Sequence, residues 1–244
     1  MPSKVTADAA FGDAILVAHR GDAARHPENS LAAFASAAKL GIRHVELDVQ
    51  LTHDGVPIVL HDASLARTHG LNVNVTTTSV PELAALGVLT GGNRPPPVPR
   101  LAEFAAWMRK TPQMHVFVEI KKESLHAHGR KRVLAAVVQA IEKIRARATI
   151  ISYDARVLAM AKREAYPIGY VLPGMSRRYQ AVAERLAPQF LFADYRQILH
   201  AGTLWPGDRD WAAFDLEDLA TTKKVARLGV RYLETMNPVL FKLI

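Results

Sequence analysis

Short runs of apolar, largely β-branched residues recur along the chain, each closing on a charged or turn-forming residue and most followed by a stretch of helical period. Eight such runs read as strands: Ala14–Ala18, His44–Val49, Val116–Ile120, Thr149–Ser152, Ile168–Leu172, Phe190–Ala193, Ala212–Leu216 and Arg231–Glu234. Helical periodicity falls over Leu31–Leu40, Leu101–Lys110, Arg130–Arg147, Ala155–Glu164, Arg178–Leu186 and Leu219–Leu228. Ser30 stands where an N-cap is needed, and Gly41 and Gly229 stand just past helix ends. Continuous apolar strands suit a sheet covered on both faces by crossover helices. Eight of them, with helical stretches between most, predict a TIM (β/α)8 barrel, an α/β fold, as one domain over residues 1–244.

One strand is left over. Residues 56–60 follow Leu51 too closely for a helical crossover, and Asp54-Gly55 is a hairpin signal. The segment therefore reads as a strand folding back over the barrel mouth and carrying His61 towards the preceding strand. Residues 62–99 then form a small insertion, with a short helix at Ser79–Leu86 and a proline cluster at 95–97.

Composition narrows the class. Nearly half of the 244 residues are apolar, so a large core is available, and there is no cysteine for a disulfide, thiolate site or thiol nucleophile. The N-terminal stretch lacks a signal-peptide pattern and no run approaches a membrane span, so the expectation is a soluble cytoplasmic protein. The net charge of +8 is spread over small clusters on helical faces without interleaved aromatics, which argues against a nucleic-acid partner and for a small anionic one. No pattern in the sequence speaks to oligomeric state.

In a barrel, the C-terminal strand ends share one face, where such enzymes place their chemistry. The charged residues there are His19, Arg20, Glu46, Asp48, Glu119 and Lys121, joined by His61 from the return strand. Glu46 and Asp48 are two apart on one strand and project to the same side, an arrangement that needs a cation. With Glu119 they make three oxygen ligands, which suits one divalent Mg2+ or Ca2+. Both histidines stay free for proton transfer, and Arg20 and Lys121 add fixed positive charge for an oxyanion, best a phosphodiester. The other histidines, His26, His44, His53, His69, His115, His126, His128 and His200, read as surface or structural.

These motifs carry a resemblance. His19-Arg20-Gly21, Pro27-Glu28-Asn29-Ser30, Glu46-Leu47-Asp48, His61-Asp62 and Glu119-Ile120-Lys121 are similar, in order and spacing, to the pattern of the glycerophosphodiester phosphodiesterase family. The likeness is close over residues 14–125, and Ile151-Ser152-Tyr153 resembles that family's strand ending Ser-Phe. It implies a TIM barrel, a divalent metal at Glu46, Asp48 and Glu119, His19 and His61 as the acid–base pair, and Arg20 as a phosphate ligand. The implied reaction cleaves a glycerophosphodiester, with a hydroxyl of the substrate or a water as the attacking group; which histidine is acid and which base stays open. A phospholipid-cleaving relative and a non-catalytic anion-binding barrel are the alternatives. Lack of an evident membrane-binding helix counts against the first, and retention of the whole charged set against the second.

Two stretches depart from the family. Phe214-Asp215-Leu216-Glu217 stands in place of Trp-Thr-Val-Asn, and Thr235-Met236-Asn237-Pro238 in place of Thr-Asp-x-Pro. Asp215 and Glu217 alternate on a predicted strand and should share a face. If that face is the mouth, a cationic alcohol group is favoured; in the opposite register both point outward, within reach of Lys223 or Arg227.

Overall fold

In the computed structural model, which describes residues 13–90 and 96–241, eight parallel strands close into a ring. They are β1 (Ile15–His19), β2 (His44–Leu51), β4 (His115–Ile120), β5 (Ala148–Ser152), β6 (Ile168–Val171), β7 (Phe190–Asp194), β8 (Asp210–Phe214) and β9 (Tyr232–Thr235). Around the ring the order is β1-β9-β8-β7-β6-β5-β4-β2, and β2 pairs back onto β1. The protein is a TIM barrel.

Strand alternation splits the apolar side chains into two layers. Val17, Phe117, Ile151, Val171, Phe192, Ala212 and Tyr232 fill the interior, where Phe117 meets Phe190, Phe192 and Tyr232 edge-on. Each buried ring contributes about 2–3 kcal/mol of transfer free energy. Gly169 on β6 makes room for this layer, because a Cβ there would lie 2.8 Å from the Ile151 side chain and 2.9 Å from the Phe192 ring. The outward faces, among them Val45, Leu47, Val118 and Leu191, pack under the helices. At the closed end of the barrel, His44 and His115 stack 5.5 Å apart beside Phe117, a structural role.

The helices begin where local caps satisfy the first amides. Ser30 accepts from Ala33 N at 3.1 Å, Asp154 from Arg156 and Val157, and Asp218 from Thr221. Three differences from the sequence reading concern length. The helix expected over Arg130–Arg147 ends at Ile141 and tightens into a 3-10 turn over Glu142–Arg147, where Arg147 reaches the carbonyls of Met108, Thr111 and Met114. Short helices at Lys122–His128 and Tyr195–Ala201 fill loops that carried no expectation. The strand expected over Ala212–Leu216 ends instead at Phe214, because Asp215 turns to a φ of +63°.

The return strand is present as β3 (Pro57–Val59), antiparallel to the end of β2, with Val59 opposite Val49. Thr52 and Asp54 close its turn through a 2.6 Å side-chain hydrogen bond. Past it, residues 62–90 and 96–99 fold over a small apolar cluster of Ile58, Leu60, Leu65, Val75, Leu83, Val88 and Val98. The short helix there spans Val80–Ala85. Of the proline cluster at 95–97, residue 95 lies outside the described residues. Among the described residues, no helix is long and apolar enough to cross a membrane.

Candidate active site

Strand register assembles the mouth. His19 of β1 is level with Glu46 of β2, and Asp48 of β2 is level with Glu119 of β4. His61 arrives from outside the ring on the segment after β3, where Leu60 N donates to the Asp48 carbonyl at 3.0 Å and the His61 carbonyl accepts from Gln50 at 2.9 Å. All seven residues singled out in the sequence are thus brought to one end of the barrel. Six of them, with Asp48 just beneath, line a cavity of about 190 Å3. It opens into a groove of about 760 Å3 that shares His61, Glu119, Lys121 and Tyr153 and extends over Lys122 and Pro173.

The loop after β1 is strained in a way that serves the site. Arg20 and Asn29 both adopt left-handed φ values, +57° and +58°, and the Arg20 carbonyl accepts from Asn29 N at 2.9 Å. That pairing aims the Asn29 amide at Asp48 Oδ2, 2.9 Å away. Gly21, at φ +82°, lies so close to the first helix that a Cβ would sit 2.7 Å from the Ala33 backbone. Gly21→Ala is therefore expected to cost about 2–4 kcal/mol, read as a lowered denaturant midpoint. A wild-type midpoint would contradict the packing.

Charges in the mouth are interlocked. Asp48 is 1% exposed and bracketed by Arg20 Nε at 3.1 Å and Lys121 Nζ at 3.2 Å. Burial opposes its ionisation, but Lys121 and Arg20 outweigh burial and hold its carboxyl well below the usual range. Glu119 pairs with Lys121 at 3.0 Å, yet burial, helped by Asp48, pushes it up to about 7. Glu46, also 1% exposed, is driven well above the carboxylate range by burial and by Asp48 and Glu234, and its Oε1 has no hydrogen-bond partner. Burial, then Arg20, takes His19 down to about 3, so its ring is neutral near pH 7. His61 Nδ1 lies 2.6 Å from Asp62 Oδ1, which leaves Nε2 free. A chain of ion pairs fixes that carboxylate: Arg67 binds both Asp62 at 2.6 Å and Glu28, and Glu28 binds Arg20 at 3.1 Å.

Glu46, Asp48 and Glu119 offer oxygen atoms within 4.8 Å of one another. Three hard donors, one with an orphaned buried oxygen, fit a divalent cation and can hold one. Glu234, at the end of β9, was not singled out in the sequence. It is 2% exposed and its carboxylate lies 3.6 Å from His19 Nε2. The signal was present, because Tyr232 faces inward and alternation puts Glu234 on the same side. The Asp215–Glu217 expectation needs correction: the left-handed turn breaks the alternation, leaving Asp215 at the cavity, 3.6 Å from His19 Nδ1, and Glu217 exposed.

A closed barrel whose mouth gathers carboxylates, two imidazoles, an arginine and a lysine defines the class of barrel proteins built around a metal and an anion. Residues 19–200 match the glycerophosphoryl diester phosphodiesterase family, and the chain belongs to it. A phosphodiesterase of Oleispira antarctica, solved in complex with the product sn-glycerol-3-phosphate, superposes with a TM-score of 0.76 at 25% identity, covering 92% of this chain and 93% of that one. The glycerophosphodiester phosphodiesterase of Thermotoga maritima gives 0.73 at 25% identity, covering 94% and 96%. A glycerophosphodiester phosphodiesterase of Caldanaerobacter subterraneus is 52% identical over 54 residues, 22% of each protein. The chain spans about half or less of the length of the first curated relatives it matches.

Proposed function

We propose that the protein hydrolyses a glycerophosphodiester to an alcohol and glycerol 3-phosphate with the help of one divalent cation, Mg2+ or Ca2+. The observation that carries this is the register that levels His19 with Glu46 and Asp48 with Glu119 at the end of the barrel where His61 also arrives. In this reading residues 1–244 work as one catalytic unit in the cytoplasm, with residues 62–99 as a small insertion within it.

Glu46, Asp48 and Glu119 would hold the cation, which supplies Lewis-acid stabilisation of the phosphoryl oxygens when bound. Arg20 and Lys121, already committed to Asp48, present their remaining N–H groups to the non-bridging oxygens and counter the charge that builds there. His19 is held neutral near pH 7 by burial and by Arg20. His61, with Nδ1 turned to Asp62, presents Nε2 to the cavity. One imidazole removes the proton of the attacking hydroxyl or water, and the other protonates the leaving alkoxide, each contributing about 10²–10⁴-fold.

Incubation with glycerophosphodiesters and Mg2+ or Ca2+ should release glycerol 3-phosphate, and excess chelator should stop it. The cation should bind at least roughly tenfold more weakly at pH 6 than at pH 7.5, because Glu119 titrates at about 7 and must lose its proton, as must Glu46, whose carboxyl is also raised. Full activity in chelator would overturn the reading.

A further inference from the structure

Glu46 stands between two groups of ligand atoms, and the cation proposed above uses only one of them. On one side lie Asp48 and Glu119, from β2 and β4. On the other lie His19 and Glu234, from β1 and β9, the strands that continue the ring past β2. Register puts His19 level with Glu46, and Glu234 level with Val17, which faces the interior two residues before His19. One ligand atom from each of His19, Glu46 and Glu234 lies within 4.8 Å of the other two. His19 Nε2 is 3.6 Å from Glu234 Oε1 and 3.8 Å from Glu46 Oε2.

The two groups differ in what the protein already supplies. Arg20 and Lys121 bind Asp48, and Lys121 also binds Glu119. Among the described residues, neither cation forms an ion pair with Glu46 or Glu234. Glu46 Oε2 accepts from Arg20 N at 3.2 Å, but Oε1 is buried without a partner. Glu234 and His19 are 2% and 7% exposed, and among the described residues neither side chain makes a hydrogen bond. A tetrahedral ion with bonds of about 2.0–2.2 Å sets its ligands roughly 3.3–3.6 Å apart, so this set closes on one with little movement. One imidazole nitrogen beside two carboxylates suits Zn2+ better than Mg2+ or Ca2+, which take oxygen.

We infer that His19, Glu46 and Glu234 form a second cation site, selective for a nitrogen-preferring ion such as Zn2+, which shares Glu46 with the first and silences the enzyme by engaging the His19 ring. An imidazole nitrogen bound to a metal neither takes nor gives a proton, so the acid–base pair is reduced to His61. The ion site stands on the geometry; the silencing rests on the proposed activity.

With Mg2+ saturating, added Zn2+ should lower turnover of a glycerophosphodiester by at least about tenfold, and further Mg2+ should not restore it. In Glu234→Gln the Zn2+ concentration for half-inhibition, taken against that variant's own uninhibited rate, should rise at least about tenfold. Calorimetric titration of the Mg2+-loaded proteins should likewise show one Zn2+ equivalent in the wild type that weakens at least about tenfold in Glu234→Gln. Glu217→Gln, on an exposed residue outside the cavity, should keep the wild-type values. Inhibition relieved by Mg2+ puts Zn2+ in the first site and overturns the inference. So do equal Zn2+ binding and inhibition in the wild type and Glu234→Gln. If Glu234→Gln fails to fold, X-ray absorption of Mg2+-loaded His61→Ala with one equivalent of Zn2+ decides, because His19 is then the one imidazole lining the cavity among the described residues. A nitrogen ligand is expected there, and a shell of oxygen alone overturns the site. If no diester is cleaved, the proposed activity fails separately, and the calorimetric difference still decides the site.

Discussion

Glu46→Gln, Asp48→Asn and Glu119→Gln are each expected to fold and to lose divalent-ion-dependent turnover, by at least about a hundredfold in kcat/KM. Stability should separate them. Glu46 sits among Asp48, Glu119 and Glu234 with one oxygen unbonded, so removing its charge relieves repulsion. Cation-free Glu46→Gln should therefore melt at or above the wild-type temperature. Asp48 is the counter-charge of two cations, Arg20 and Lys121, both largely buried. Removing their shared counter-charge leaves Arg20 only Glu28 and Lys121 only Glu119, and should cost about 3–5 kcal/mol, so Asp48→Asn should melt well below wild type. Differential scanning calorimetry in chelator reads both signs. Equal melting shifts for the two variants would refute this account of the charges.

His19→Ala and His61→Ala are expected to lower kcat by at least about a hundredfold with modest change in KM, since neither ring is needed to hold the phosphate. The two should differ in their neighbours. Asp62 holds the His61 ring through Nδ1, and Arg67 holds Asp62, so Arg67→Ala should lower kcat through a misplaced imidazole. His19 has no such carboxylate at hydrogen-bond distance, Asp215 and Glu234 both standing 3.6 Å off. Steady-state kinetics on one diester checks both. Near wild-type turnover in either alanine variant removes that histidine from the acid–base pair.

The barrel was legible because its strands obey simple rules. Each apolar run closes on a charged or turn-forming residue and most are followed by a helix, and the short Asp54-Gly55 connection admits nothing but a hairpin. The convergence of His19, Glu46, Asp48, Glu119 and Lys121 followed from the same rule, since strand ends of a parallel barrel share a face. What was not legible depended on single backbone angles and on lone residues. The left-handed turn at Asp215 ends β8 at Phe214, and no alternation pattern anticipates it. Glu234 follows Tyr232 and Leu233 as one isolated acid, without an acidic partner two residues away to draw attention. The helix at Tyr195–Ala201 depends on Asp194 accepting from Arg196 N, a local cap at the end of a strand rather than a periodic pattern.

The placement of His61 has a consequence for how the molecule fails. Its strand, β3, pairs with the last residues of β2 and forms one bridge to Arg100, and the segment beyond it rests on its own small cluster from Ile58 to Val98. Such a unit opens at lower free energy than the ring itself. As denaturant or temperature rises, the protein should pass through a form that keeps its carboxylate cage closed and its cation bound while His61 swings out of reach. Catalysis is lost there before structure is, so residual ion affinity and intact far-ultraviolet dichroism would describe a protein already dead as a catalyst.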